Sequence, residues 1–339
     1  MKNKILRNML IPGVIGVLVV VVPSLLIRAG IIDGYTAQIV TLGAVNAIMA
    51  VSVNVVCGIT GQLSLGQAGF EALGAYATIL LTSSLHVPLP VSILLSGLIA
   101  ALFGLLIGFP TLKLQGDYLA IVTLAFGEII RVVLVNLKGL TGGPNGMQFP
   151  TVFTISLDWG AFISYLTIMG ALVVIIVLLQ NFLRSTFGRV ILAVREDEIA
   201  ANSNGISVFR YKMTGFVIAS FIAGIGGALY APFIGFVKPD LASFNNSIND
   251  LIFVVLGGMG SVTGSVLAAF VLTVLQEALR FLKDYRLLIY PVILILVMIF
   301  RPQGLLGTKE LSFVRCWDGI PGLCRRILRR GTAETEAEK

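Results

Sequence analysis

The sequence predicts an all-α polytopic membrane protein of about eight to ten transmembrane helices, some of them broken or re-entrant at glycines. The first observation is composition, because 57% of the 339 residues are hydrophobic and the mean hydropathy is +0.97. The second is that only 12% are charged, against about 25% in soluble domains. The third is that Lys and Arg gather in a few places between long apolar runs. The net charge of +7 therefore indicates membrane topology and no nucleic-acid partner.

The first element is an apolar stretch from residue 9 to 27, which follows a basic start. It is too long for the core of a signal peptide, so residues 1–35 are predicted to form a cytoplasmic start and a first spanning helix. Six more runs of about 20 apolar residues predict further spans. They lie near 36–57, 67–84, 89–110, 117–137, 160–181 and 212–236.

The pattern is less regular after residue 236. The stretch 249–279 is too long for one helix and is interrupted by several glycines, so it predicts either two short helices or a spanning helix with a re-entrant piece. A last apolar run follows at 287–300. Residues 308–339 form a basic tail whose mixed arginines and apolar residues predict contact with membrane lipid at the cytoplasmic surface.

Most Lys and Arg fall in four regions: the N-terminus, the turn holding Lys113, the segment 182–212 and the tail. All four lie on one side if six helices precede residue 182. The positive-inside rule makes that side the cytoplasm. We therefore expect both termini in the cytoplasm, with ten membrane segments, or eight and a re-entrant loop.

The cytoplasmic segment 182–212 is the most informative loop. Three acids, Glu196, Asp197 and Glu198, begin a run that predicts a short helix, and Gly205 predicts its end. From the residues alone the loop is either a docking element for a soluble partner or a solvated linker helix.

Two glycine-rich interruptions predict places where the backbone is not helical. Glycine breaks helices and polar side chains are costly in lipid, so such stretches line a protein-enclosed path. The candidate path residues are Gly61, Gln62, Ser64, Gly66 and Gln67 in the first half and Gly257, Gly258 and Gly260 in the second. One break in each half suggests an internal repeat. Close helix packing is the alternative explanation of these glycines.

Ionisable residues inside predicted spans are candidates for function. They are Glu71, Glu128, Arg131, Asp250 and Glu277. Glu128 and Arg131 are three residues apart on one helix face, so they form either a structural pair or a proton or substrate site.

No pattern in the sequence indicates catalysis. The single histidine, His86, falls in a predicted outer turn, and no arrangement of residues indicates a nucleophile, a general base or a metal site. A Gly-x4-Gly-Lys-Ser/Thr phosphate-binding loop is also absent from the sequence. We therefore expect no enzyme, no metal and no cofactor of its own.

Six ordered blocks carry a family resemblance. They are GQLSLGQAGF at 61–70, GDYLAIVTL at 116–124, TGGPNG at 141–146, AVRED at 193–197, VLGGMG at 255–260 and RPQGLLG at 301–307. With these blocks residues 36–307 resemble the LivM-type permeases of bacterial branched-chain amino acid ABC importers. The resemblance makes 36–307 the permease domain.

The resemblance implies a multi-pass protein of the bacterial inner membrane with four kinds of partner: a second, LivH-like permease, two ATPase subunits that bind the ATP, an extracytoplasmic substrate-binding protein, and lipid. It also implies that the loop within 182–212 couples to the ATPases. The residues concerned are Arg195, Glu196, Asp197, Glu198, Ala200, Ala201 and Gly205. Such loops usually carry Glu-Ala-Ala, three residues and Gly, but here Ile199 takes the Glu position.

The resemblance implies leucine, isoleucine and valine as substrates, while related permeases serve urea and amides. An ion-coupled secondary transporter, with Glu71 or Glu128 carrying protons, is the alternative from another class. It leaves the charged segment 182–212 without a role.

Overall fold

A computed structural model describes residues 20–28, 30, 32–114, 116–149, 157–301 and 303–307. Almost all of them are helical. Helix α1 includes residues 20–28 and is the described part of the predicted first span. The next helices are α2 (Gly34–Asn54), α3 (Gln67–Ser83), α4 (Leu89–Thr111), α5 (Asp117–Asn136), α6 (Lys138–Thr141) and α7 (Leu157–Arg184). They are followed by α8 (Thr186–Glu196), α9 (Glu198–Ser203), α10 (Val208–Ile234), α11 (Phe244–Gly257), α12 (Val262–Ala278) and α13 (Arg286–Phe300).

Six segments of the described chain are long and apolar enough to cross a bilayer, which confirms the polytopic all-α prediction. They are Gly34–Ile59, Leu89–Thr111, Asp117–Asn136, Phe162–Arg184, Val208–Ile234 and Val262–Leu282. Helices α3, α11 and α13 have 17, 14 and 15 residues, fewer than the roughly 20 of a full span. The predicted total of eight to ten includes these shorter helices and stays a prediction.

Helices α2 and α10 form an antiparallel pair at the centre of the bundle. The Ser52 hydroxyl donates to the carbonyl of Ala219 at 2.8 Å. Gly226 lies beside Met49, and Gly215 lies beside Thr60. Small residues permit this close approach of two helix backbones. The contacting pairs run in opposite directions along the two helices, so the C-terminal ends of α2 and α10 lie at opposite ends of the bundle.

The packing of the other helices supports an internal repeat. Helix α10 packs on α3 and α4, while α2 packs on α11 and α12. The series α2 to α5 therefore corresponds by order and packing to the series α10 to α13. The two glycine-rich breaks are not counterparts in this repeat, because the first follows α2 and the second follows α11. The counterpart of the first break is the segment between α10 and α11.

The segment 182–212 contains two short helices rather than one. Ser185 caps α8 by accepting from the Gly188 N–H at 3.3 Å. Asp197 caps α9 by accepting from the N–H groups of Ile199 and Ala200, each at 2.9 Å. Gly205 follows with φ of +79°. The predicted short helix and its glycine stop are confirmed, but the acids are divided, since Glu196 ends α8 and Glu198 begins α9.

The stretch 249–279 contains the end of the short helix α11 and the whole of α12, which belongs to the membrane-length segment Val262–Leu282. A single long helix is thereby excluded, and the pair of two short helices is wrong for α12. Residues 258–261 join α11 to α12. The chain after α13 returns to this junction, where Leu305 N–H donates to the Leu256 carbonyl at 2.7 Å and Leu306 N–H to the Gly257 carbonyl at 3.3 Å. The predicted basic tail, 308–339, lies outside the described residues.

Two short strands mark the other end of the bundle. Strand β1 (Met147–Gln148) pairs antiparallel with β2 (Phe236–Val237). Because β2 follows the last residues of α10 and α9 precedes the first, the strands and α9 lie at opposite ends. We call these the β end and the α9 end.

Candidate translocation and coupling site

The first break begins with a change in helix type. Helix α2 continues as a π-helical turn, Val55–Ile59, and then residues 60–66 run without helical structure to the start of α3. The Leu65 N–H donates to the Thr123 hydroxyl of α5 at 3.1 Å. Thr123 lies six residues along α5, or about 9 Å from its start. The non-helical backbone therefore enters the bundle, as the glycines predicted.

Three predicted path residues of this break, Gln62, Ser64 and Gln67, are buried. Both amide atoms of Gln62, the Ser64 hydroxyl and Nε2 of Gln67 have no hydrogen-bond partner within the described chain. Each such group costs about 1–3 kcal/mol. These atoms leave hydrogen-bonding capacity free at the break, which favours a path for a polar solute.

The glycines of the breaks permit close backbone contacts or positive φ angles. A methyl group at Gly66 would lie 2.5 Å from the Thr123 carbonyl oxygen, and one at Gly257 would lie 2.6 Å from the Gly264 backbone. The packing alternative therefore holds at these two positions. Gly61, Gly258 and Gly260 instead have φ values of +70°, +109° and +94°, which side chains disfavour.

The two breaks meet at the α9 end. The Gly260 N–H donates to the Asn54 side-chain oxygen at 2.9 Å, which links the second break to the end of α2. Gly58 lies directly against the backbone of Gly260. The sequence separates these residues by about 200 positions, and the fold brings them into contact.

Arg195 contacts both breaks. Its Cγ lies 3.0 Å from the position that a methyl group at Gly61 would take, and its Nη1 lies 2.8 Å from the corresponding position at Gly260. The family resemblance implied that Arg195 belongs to the loop that couples to a partner ATPase, whereas the structure turns this side chain toward the membrane helices. The signal for this was available, because buried Ile191 and Val194 mark one face of α8 and Arg195 continues it.

Most of the other predicted coupling residues face outward. Glu196, Asp197, Glu198, Ala200 and Gly205 are exposed, while Ala201 is buried. Glu198 forms an ion pair with Lys212 at the start of α10, which ties α9 to that helix.

Ile199 is the most exposed large apolar residue of the described chain, at 81%. It stands where the family pattern has Glu. A six-residue helix with one exposed apolar side chain and acidic neighbours presents a compact surface at the α9 end.

The ionisable candidates form three separate groups, the last of which is Glu277 with Arg280, whose Nη1 donates to Glu277 Oε1 at 2.9 Å. Glu71 of α3 and Asp250 of α11 are both buried, on two helices that pack against each other. Arg131 Nε donates to Glu128 Oε2 at 2.7 Å. Asp240, which the sequence analysis missed, joins the second group at 3.7 Å from Arg131 Nη1. It lies in the short 3-10 helix Pro239–Ala242 before α11, where no predicted span drew attention to it.

An apolar cavity of about 640 Å³ lies between α3, α4 and α5. Its lining includes Leu80, Phe103 and Ile129. It is separate from the polar residues of both breaks. Within the described ranges, no three His, Cys, Asp or Glu side chains are placed to hold a metal ion.

A bundle of membrane-length helices with non-helical breaks and unpartnered polar groups inside it is the architecture of a transport permease. The family described as "Branched-chain amino acid transport system / permease component" matches residues 35–300, and the chain belongs to this family. The LivM permease of Escherichia coli is 40% identical over 80% of this chain and 70% of the relative. The LivH permease of Salmonella typhimurium is 27% identical over 81% of this chain and 95% of the relative. No solved structure matches.

Proposed function

We propose that this chain is one of two permease subunits of an ATP-driven importer of branched-chain amino acids in a bacterial inner membrane. The LivM and LivH relatives are each named a "high-affinity branched-chain amino acid transport system permease protein". Similarity to both kinds supports a transporter built from two related permeases. We assign the chain no catalytic step of its own.

The observation that carries the proposal is the contact of Arg195 with both breaks. The sequence has no phosphate-binding loop, so free energy for transport must enter through a contact with another protein. Helices α8 and α9 offer that contact, because α9 faces outward and Arg195 on α8 faces the breaks. A displacement of α9 by an ATPase would reach the path directly.

The proposed assembly has four kinds of protein. Two ATPase subunits bind ATP and dock at the α9 end, which we place in the cytoplasm with both termini. A second, LivH-like permease completes the path, and an extracytoplasmic binding protein delivers substrate at the β end. Coupling requires that the docked ATPases favour one arrangement of the breaks over another.

Leucine, isoleucine and valine are the proposed substrates. The alternative within the same architecture is a permease for urea or amides. The alternative from another class is a secondary transporter, in which Glu71 or Glu128 would carry protons and no ATPase would bind.

The test is uptake of radiolabelled L-leucine by proteoliposomes. We expect uptake only when this chain is reconstituted with its partner permease, both ATPases, the binding protein and internal ATP. Vesicles that hold this chain alone, given a proton gradient, serve as the comparison. Uptake by the chain alone would establish the secondary transporter. Uptake of labelled urea but not leucine by the complete assembly would contradict the amino acid substrates and favour a urea permease.

A further inference from the structure

A cluster of three charged side chains joins α5 to the segment before α11. Arg131 donates to Glu128 at 2.7 Å and lies 3.7 Å from Asp240. The Phe244 N–H, at the start of α11, donates to the other oxygen of Glu128 at 3.3 Å. The cluster therefore holds the chain that follows β2 against the side of α5.

Glu128 lies near the middle of helix α5, and Arg131 lies about one turn nearer the β end. Glu128 is eleven residues along the 20-residue helix α5, which places it about 16 Å from one end of a span of about 30 Å. About a third of the Arg131 and Glu128 side chains is exposed, and 78% of Asp240. Charged groups at this depth face protein or water and not lipid. This flank of α5 therefore faces an enclosed polar space in the assembled transporter.

The three groups keep hydrogen-bonding capacity free. A guanidinium has five N–H donors, and one of those of Arg131 is used by Glu128. The 3.7 Å separation between Arg131 and Asp240 is longer than a hydrogen bond. A donor on Arg131 and the acceptors on Asp240 thus face the same space.

Apolar side chains adjoin the charges. Phe244 is 46% exposed and Val132 is 51% exposed. Phe244 adjoins Glu128, because its backbone N–H donates to that carboxylate. Val132 is the next residue after Arg131 in the sequence. A ligand with two opposite charges and an apolar side chain matches this surface.

We propose that Arg131, Asp240 and Glu128 form a recognition site for a zwitterionic α-amino acid within the path. Arg131 donates to the carboxylate of the amino acid, and Asp240 accepts from its ammonium group. Glu128 orients Arg131 and is a positioning residue. This proposal rests on the proposed function and sharpens it, because neutral urea and amides carry no charges for such a site.

The experiment measures leucine imported per ATP hydrolysed by the complete four-component transporter in proteoliposomes. We expect Arg131→Gln and Asp240→Asn each to lower this ratio by roughly tenfold or more, since each leaves a charge of the substrate unpaired at the site. Hydrolysis stimulated by the binding protein should stay within about twofold, because the coupling helices are untouched. Arg131→Lys should recover part of the ratio, since it keeps the charge but not the fork geometry.

Glu277→Gln is the matched control, because Glu277 near the end of α12 forms a pair of the same spacing at 2.9 Å with Arg280 in the 3-10 turn that follows. It should leave the ratio unchanged. An unchanged ratio in both Arg131→Gln and Asp240→Asn overturns the proposal, and so does an equal fall of hydrolysis and uptake in Asp240→Asn, whose exposed side chain is not needed for packing. Failure of the unmodified complex to import leucine would overturn the proposed function instead.

Discussion

At the scale of single residues, the first break depends on the absence of a side chain at Gly66. Gly66 brings its backbone against the carbonyl of Thr123 and lets a non-helical segment lie inside the bundle. Gly170, in α7, has nothing within 4 Å of the position that a methyl group would take. A side chain is therefore excluded at Gly66 by its close contact, whereas Gly170 has room for one.

Replacing Gly66 with Ala should lower the free energy of unfolding by about 1–3 kcal/mol, because the added methyl group overpacks the contact with α5. Gly170→Ala is the matched control and should be neutral or stabilise by up to about 1 kcal/mol, as expected in a helix interior. Thermal unfolding of the purified protein in detergent checks both. Equal melting temperatures would show that the break adjusts to a side chain.

Arg195 is the residue whose role changes most between sequence and structure. Arg195→Gln should leave ATPase binding nearly intact but reduce uptake per ATP by roughly tenfold, because the loss of one contact of about 1.4 kcal/mol changes an equilibrium tenfold. Arg189→Gln is the control, since Arg189 lies on the same helix and is exposed. Paired measurements of hydrolysis and uptake check this. If the ATPases no longer co-purify with Arg195→Gln, the residue faces them rather than the breaks.

At the scale of elements, α9 is short but well defined. Asp197 satisfies its first N–H groups, and the positive φ of Gly205 ends it. Six residues could not persist as an isolated helix. The ion pair of Glu198 with Lys212 and the buried Ala201 fix it to α10.

Ile199→Asp should weaken binding of the ATPase subunits at least tenfold, because burying an isoleucine side chain contributes about 1.5–3 kcal/mol. Thr186→Asp, an exposed position at the start of α8, is the control for added charge. Binding of the purified ATPase to permease in nanodiscs, by titration, measures both. Unchanged affinity for Ile199→Asp would exclude this side chain from the docking surface.

At the scale of the whole molecule, the antiparallel packing of α2 and α10 separates the two ends. Helix α10 has 27 residues and so a length of about 40 Å. The β end lies after its last residues and α9 before its first. An ATPase at one end and a binding protein at the other would thus contact opposite ends of one helix.

Single cysteines at Asn145 and Ser203 should react with an impermeant thiol reagent from opposite sides of the membrane. Both positions are exposed, and they lie at the β end and the α9 end. The background must lack Cys57, Cys316 and Cys324. Labelling of intact and of opened vesicles gives the side of each residue. Reaction of both from one side would contradict the predicted orientation.

The sequence by itself determined five of the six membrane-length segments, the two breaks and the short helix α9. Each depends on local properties: an apolar run of membrane length, glycines among polar side chains, and an acidic start with a glycine stop. The bounds of α3, α4 and α5 were predicted within a residue. The residue types also placed Gln62, Ser64 and Gln67 in a protein-enclosed segment, where all three are buried.

Only the tertiary structure decided which of these pieces meet. The breaks touch through Asn54 and Gly260, Arg195 turns toward both, and Asp240 joins Arg131 from a different part of the chain. These contacts link residues that are about 65 to 210 positions apart. The face of α8 indicates which way Arg195 turns, but no local pattern identifies the partners that these residues meet. The contacts follow from the antiparallel packing of α2 and α10, because packing of small residues selects helix neighbours in a membrane where every helix surface is apolar.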